Sequence, residues 1–254
     1  MSKPSKVRVD HLLVERGLAE NRTRAQALIM AGLVFTENQC IDKPGRQLPA
    51  DVQLRVKGRD HPWVSRGGIK LDHGLKHFGI SAEGAVCIDV GASTGGFTDV
   101  LLHAGAARVY AVDVGHGQFD WKLRNDPRVV LLEKTNARHL DREVVPEAID
   151  LLTCDASFIG LRTVLPAAMS LSAPGAGLIA LIKPQFEVGR GLVGKGGVVR
   201  DPEQHQRVCD EIESWLAAEP GWSVLGVAES PITGPEGNRE FLIGGRRDSA
   251  GLDR

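Results

Sequence analysis

The stretch from Val86 to Gly96 constrains the fold of this chain more than any other. A largely apolar run, Val86-Cys87-Ile88-Asp89-Val90, leads straight into Gly91-Ala92-Ser93-Thr94-Gly95-Gly96, and a helical segment follows to Ala104. Strand, glycine turn and helix in direct succession open a nucleotide-binding βαβ unit. The alternation then continues. Strands are predicted at Arg108 to Val112, Val129 to Leu132, Ile149 to Cys154 and Leu178 to Ile182. Asp201 caps a long helix to about Ala218, and Trp222 to Ser230 pairs with Glu240 to Ile243 as a closing antiparallel pair. This pattern predicts an α/β fold: a Rossmann-like, doubly wound, mostly parallel sheet of seven strands, the last antiparallel. Such sheets bind ligands at the carboxyl ends of their strands, where Asp89, Asp113, Asp155 and Lys183 stand.

The glycine turn narrows the ligand. It reads Gly-Ala-Ser-Thr-Gly-Gly, not the Gly-x-Gly-x-x-Gly that admits a pyrophosphate. Asp89, two positions before Gly91, is placed to meet a cationic amino-acid group. Asp113, ending the next strand, is placed to accept hydrogen bonds from ribose hydroxyls. Nicotinamide dinucleotides and S-adenosylmethionine share that use of Asp113, whereas Asp89 and the loop sequence favour S-adenosylmethionine. A second glycine-rich string, Gly189 to Lys195, imitates a P-loop, but Gly196 follows where Ser or Thr is required. It is expected to be a mobile loop that touches RNA through Arg190 and Lys195. The eight histidines form no ligand cluster, and the four cysteines lack paired spacing, so no metal is expected.

The ends of the chain differ in charge. Residues 1–67 hold 12 Lys+Arg against 7 Asp+Glu, whereas the remainder holds 19 against 25. A basic module on a mildly acidic body points to a polyanionic partner. Within the module, Asp10 is expected to cap a helix from His11 to Arg16, and Asn21 a second from Arg22 to Ala31. Short strands at Leu33 to Phe35 and Gln53 to Val56 follow. No run approaches the ~18 apolar residues of a membrane helix. Met1 to Val9 lacks the apolar centre of a signal peptide. A cytoplasmic monomer with no membrane partner is expected.

Several strings resemble known families. Arg8-Val9-Asp10-x-x-Leu13, Gly17-Leu18-Ala19, Arg22-x-Arg24-Ala25-Gln26-x-Leu28-Ile29 and Lys43-Pro44 resemble the S4 RNA-binding domain. Ser65-Arg66-Gly67-Gly68-x-Lys70, Asp89 to Thr98, Asn136-Ala137-Arg138, Asp155-Ala156-Ser157-Phe158, Lys183-Pro184-Gln185-Phe186-Glu187 and Gly237-Asn238-x-Glu240 resemble the FtsJ-like ribose 2′-O-methyltransferases. Joined in this order, the two resemble the TlyA (haemolysin A-like) family of ribosomal RNA methyltransferases. The resemblance implies a small α+β S4-like unit over residues 7–58 and a linker, stiffened by Pro62 and Trp63, over 59–67. A methyltransferase domain over 68–247 and a tail over 248–254 follow.

The resemblance also assigns residues. Lys70, Asp155, Lys183 and Glu240 would form the catalytic set. Asp89, Gly91, Ala92, Ser93, Thr94, Gly95, Gly96, Phe97, Asp113, Asn136, Ala137 and Asp155 would hold S-adenosylmethionine. Arg8, Arg22, Arg24, Gln26, Lys43, Arg66, Arg190 and Lys195 would meet ribosomal RNA, with cytidine in the small or large subunit as the implied target. The chemistry agrees with this set. A ribose hydroxyl is a weak acid that must be aligned and deprotonated. A lysine serves there if a second lysine and partial desolvation favour its neutral form, with carboxylates holding both amines. Two rival functions stand beside this one: an S4-type assembly factor without catalysis, and a membrane-active haemolysin.

Overall fold

The computed structural model describes residues 6–19, 22–37, 39–57, 61–194, 196–234 and 237–249. Asn21, Lys195 and the tail beyond 249 lie outside them, as do residues 58–60 of the expected linker, and the Arg190 side chain is likewise undescribed. The chain divides into two compact units at Pro62/Trp63.

The smaller unit runs β1 (Lys6–Arg8), α1 (Val9–Glu15), α2 (Arg22–Met30), β2 (Val34–Phe35), β3 (Cys40–Ile41), β4 (Gln47–Pro49) and β5 (Arg55–Val56). β1 pairs antiparallel with β4, and β3-β2-β5 form a three-stranded sheet. Val9, Leu13, Ala25, Ile29, Val34 and Ile41 make its core. The expected cap on α1 is corrected here. Helix α1 begins at Val9, with Arg8 at its N-cap and no side-chain cap bond. Asp10 lies inside the first turn with its side chain fully buried.

The larger unit runs α3 (Gly67–Phe78), β6 (Val86–Val90), α4 (Gly96–His103), β7 (Arg108–Val112), α5 (Trp121–Arg124), β8 (Val129–Leu132), β9 (Ile149–Cys154), α6 (Leu161–Ser170), β10 (Ser172–Ile182), α7 (Pro184–Glu187), α8 (Pro202–Ala218), β11 (Trp222–Glu229) and β12 (Phe241–Arg247). Seven strands form one sheet in the order β11-β12-β10-β9-β6-β7-β8. All are parallel except β12, which is inserted antiparallel between β10 and β11. One apolar core packs α3 and α4 on one face (Leu71, Leu75, Phe97, Leu101), and another packs α6 and α8 on the other (Val164, Leu165, Val208, Ile212).

The order of strands places the site. From β6 the chain steps outward to β7 and β8, then returns to β9 on the other side of β6. That reversal opens a crevice beyond the carboxyl ends of β6 and β9. Trp63 to Arg66, expected within the linker, pack on this unit. Val64 donates its backbone N–H to Asp99 Oδ2 at 2.8 Å, and the Trp63 ring meets His103 edge-on at 5.3 Å.

Candidate active site

Four charged side chains from four elements converge at the crevice. Lys70 comes from the first turn of α3, Asp155 from the residue after β9, Lys183 from the residue after β10, and Glu240 from the residue before β12. Lys70 Nζ donates to Glu240 Oε2 at 2.6 Å. Asp155 stands between the lysines, with Oδ1 2.6 Å from Lys183 Nζ and Oδ2 3.9 Å from Lys70 Nζ. Lys183 Nζ also donates to the Asp155 backbone carbonyl at 3.1 Å and to Ser157 Oγ at 2.9 Å. Both lysine side chains are 8% exposed. Two cations and two anions thus balance while largely out of water, where each depends on its partners.

Two clefts meet at this cluster. The first, about 360 Å³, has Arg66, Lys70, Ala92, Thr94, Gly96, Phe97, Lys183 and the segment Ile232–Thr233–Gly234 in its wall. The second, about 390 Å³, is walled by Val112, Asp113, Val114, Asn136, Ala137 and Ile159. Gly91, Ser93, Asp155 and Ser157 line both. The glycine turn makes the junction possible. Gly91 has φ +84°, and a Cβ there would lie 2.8 Å from the Ala156 backbone, so only glycine lets the loop and the end of β9 approach this closely.

The second cleft suits a nucleoside. Valine side chains and the backbone of Ala137 offer an apolar slot, and Asp113 stands in its wall. Asp113 already accepts from the backbone N–H of Ser93 (2.7 Å) and of Gly115 (2.7 Å), so it fastens the glycine turn to the end of β7. A carboxylate has about four acceptor positions, which leaves room for ribose hydroxyls. Asn136 Oδ1 accepts from Arg138 N at 3.1 Å and caps the 3-10 turn Ala137–His139 that borders the slot. Phe158 is 90% exposed at the mouth, holds φ +66°, and lies 5.1 Å from the Phe186 ring. For a bulky non-glycine residue that conformation costs roughly 1–2 kcal/mol.

Asp89 departs from expectation. It lines neither cleft. Its carboxyl is wholly buried beneath the turn, where Oδ2 accepts from Thr98 N (3.0 Å) and Thr98 Oγ1 (2.7 Å). Burial pushes it up to about 7, against the pull of the Thr98 hydrogen bonds. The residue therefore clamps the start of α4 to β6 and lies behind the cleft walls, with Oδ1 buried and without a hydrogen bond among the described residues. Gly95 is also absent from both walls; a Cβ there would strike Leu123. Ser157 and the segment 232–234 also line the clefts, although no role follows for them from the sequence. A polar residue two positions past Asp155 was the available signal for the former; nothing local marks the latter.

In the smaller unit the expected RNA contacts cluster around Asp10. Arg8 donates to it twice (2.9 and 2.8 Å), and Arg22 and Gln26 each at 3.0 Å. The Arg8 guanidinium, with Gln26 and Arg22, holds this carboxyl well below the usual range despite burial. Lys43 is exposed in the adjoining turn, whose Pro44 carbonyl accepts from Asp10 N. Arg24 lies on the same helix, α2 (Arg22–Met30).

The segment Gly189 to Gly197 is no P-loop. A 3-10 turn spans Arg190–Leu192, and the next helix is α8, at Pro202. Asn238 ties its far end down by accepting from Val199 N and donating to the Gly197 carbonyl, both at 3.1 Å. Among the described residues no helix is long and apolar enough to cross a membrane, and no group of three His, Cys, Asp or Glu could hold a metal ion.

Comparison with known proteins agrees with this architecture. The profile of the FtsJ-like methyltransferase family matches residues 63–247, and that of the S4 domain matches 7–54. The 16S/23S rRNA (cytidine-2′-O)-methyltransferase TlyA of Mycobacterium tuberculosis is 48% identical over 94% of this chain and 89% of its own length. Hemolysin A of Brachyspira hyodysenteriae is 38% identical over 93% of this chain and 98% of its own. Among solved structures, a candidate hemolysin from Streptococcus thermophilus superposes with TM-score 0.74 at 42% identity, covering 97% of this chain and 90% of that one.

Proposed function

This chain belongs to the TlyA branch of the FtsJ-like methyltransferases, with an S4 domain ahead of the catalytic unit, and from that membership we propose that it methylates the 2′-hydroxyl of a cytidine ribose in ribosomal RNA, using S-adenosylmethionine. The observation that carries the reading is the buried Lys70–Glu240 and Lys183–Asp155 pairs at the junction of two clefts. One cleft takes the nucleoside of the cofactor, held by Asp113, Asn136 and Ala137. The other takes the substrate ribose.

When bound, S-adenosylmethionine supplies an electrophilic methyl on sulfur: the hydroxyl oxygen forms the new O–C bond, and the C–S electron pair stays on sulfur as a neutral thioether. Lys183, in its amine form, orients the hydroxyl and takes its proton. Asp155 holds Lys183 through Oδ1 and its own carbonyl, and offsets the field of Lys70. Glu240 anchors Lys70. Alignment lowers the barrier by itself, so Lys183 need not be a strong base. Basic side chains of the S4 unit, Arg8, Arg22 and Lys43, with Gln26 beside them, supply phosphate contacts that position the RNA without reading its sequence. Lys183→Ala tests the reading. Cofactor binding, measured by calorimetry, should persist, while methyl transfer to ribosomal subunits falls about 10²–10⁴-fold. Turnover near that of the unaltered chain would overturn the role of Lys183.

A further inference from the structure

Lys183 Nζ faces three oxygens: Asp155 Oδ1, the Asp155 carbonyl and Ser157 Oγ. The carbonyl and Ser157 Oγ accept from Nζ, while Asp155 Oδ1 stands 2.6 Å away as an ion pair without a hydrogen bond, an arrangement suited to an ammonium. An amine has only two N–H groups and a lone pair. A carboxylate and a carbonyl can only accept, so of the three only the Ser157 hydroxyl can donate to that lone pair. The direction from Nζ to Ser157 Oγ therefore marks where an incoming hydroxyl must present its proton.

Two further observations agree. Ser157 is exposed and lines both clefts, so it sits where a methyl donor in one and a ribose in the other would meet. The residue after it, Phe158, holds a left-handed backbone, and that turn ends the segment carrying Asp155 and Ser157 over the crevice.

We propose that Ser157 is a positioning residue whose hydroxyl holds the place of the ribose 2′-hydroxyl on Lys183. It yields that place when substrate binds, and accepts from the ammonium again once the proton has moved. The inference rests on the methyl-transfer reading above. Because Ser157 acts through Lys183 in the chemical step, its loss belongs in kcat and not in KM.

The test uses the full chain, unmethylated ribosomal subunits and radiolabelled S-adenosylmethionine, with Ser157→Ala and Ser157→Thr. Loss of one hydrogen bond to a charged group should lower kcat of Ser157→Ala roughly ten- to a hundredfold. KM for subunits should not rise, and cofactor affinity and melting temperature should stay put. Ser157→Thr keeps the hydroxyl and should recover most of the rate. Unchanged kcat in Ser157→Ala, a loss confined to KM, or a threonine variant no better than alanine would each overturn the proposal. A wild-type chain that methylates no subunit would instead sink the methyl-transfer reading, and this inference with it.

Discussion

Each unit gathers basic side chains around a buried carboxylate, and the two treat those cations differently. In the smaller unit Asp10 is fully buried, while the side chains of Arg8 and Arg22 stay 41% and 53% exposed. In the larger unit Lys70 and Lys183 are 8% exposed, against carboxylates of Glu240 and Asp155 that are 0% and 19% exposed. An exposed cation keeps its hydration and remains free to meet phosphate. A desolvated one is committed to its partners. The same pairing serves display in one place and confinement in the other.

Removing one carboxylate from the confined cluster should give the largest effect. Glu240→Ala leaves Lys70 buried without its partner, and a broken buried pair costs about 3–5 kcal/mol. Urea unfolding of the variant should show that loss. The double variant Lys70→Met/Glu240→Leu should regain most of the stability while failing to methylate RNA, which separates folding from catalysis. Equal stability of Glu240→Ala and the unaltered chain would break the contrast between the clusters.

The displayed cluster predicts a smaller and different response. Arg22→Ala should lower the salt dependence of ribosomal RNA binding by roughly one phosphate contact, a log–log slope change of about 0.7–0.9. Asp10→Asn keeps every cation, so the slope should hold while affinity falls, because the arginines lose the anchor that fixes their direction. A filter-binding titration across salt concentrations distinguishes the two. If both variants change the slope alike, Asp10 is no organiser of that surface.

Asp89, buried with no basic partner among the described residues, predicts the smallest effect. Its folded value is raised to about 7, whereas an unfolded carboxyl titrates near ~3.9. The folded chain therefore binds an extra proton between these values. The stability this contributes is complete below the unfolded value and is lost as pH rises through about 7. Asp89→Asn removes the titration, so its melting temperature relative to the unaltered chain should rise from pH 5 to pH 8. A difference independent of pH would show that the carboxyl is ionised throughout.

Much of the larger unit was readable because its strands are continuous apolar runs closed by turn residues. β6, β7, β8 and β9 fall at the predicted residues. β10 begins at Ser172, well before Leu178, because Pro174, Gly175 and Gly177 read as a turn yet sit in an irregular strand whose register shifts between Ser172 and Gly177. Helix α6 is masked in the sequence for a similar reason. It contains Pro166, and its first N–H, from Leu161, is capped by Glu187, 26 residues further along. In the smaller unit β1, β3 and β4 span only two or three residues, too few for periodicity to register.

Sequence alone determined which residues end the strands, because an apolar run and the residues that close it are properties of neighbouring positions. It also placed Asp155 and Lys183 at the carboxyl edge. Which carboxylate meets which amine was decided by tertiary structure. Lys70 and Glu240 lie 170 residues apart and are joined only because β12 is inserted beside β10. Asp89, two positions before the glycine turn, faces inward to Thr98, while Ser157 faces Lys183. Direction of this kind depends on how a strand end packs against its neighbours, and desolvation turns that direction into a charge state, so neither is written in local sequence.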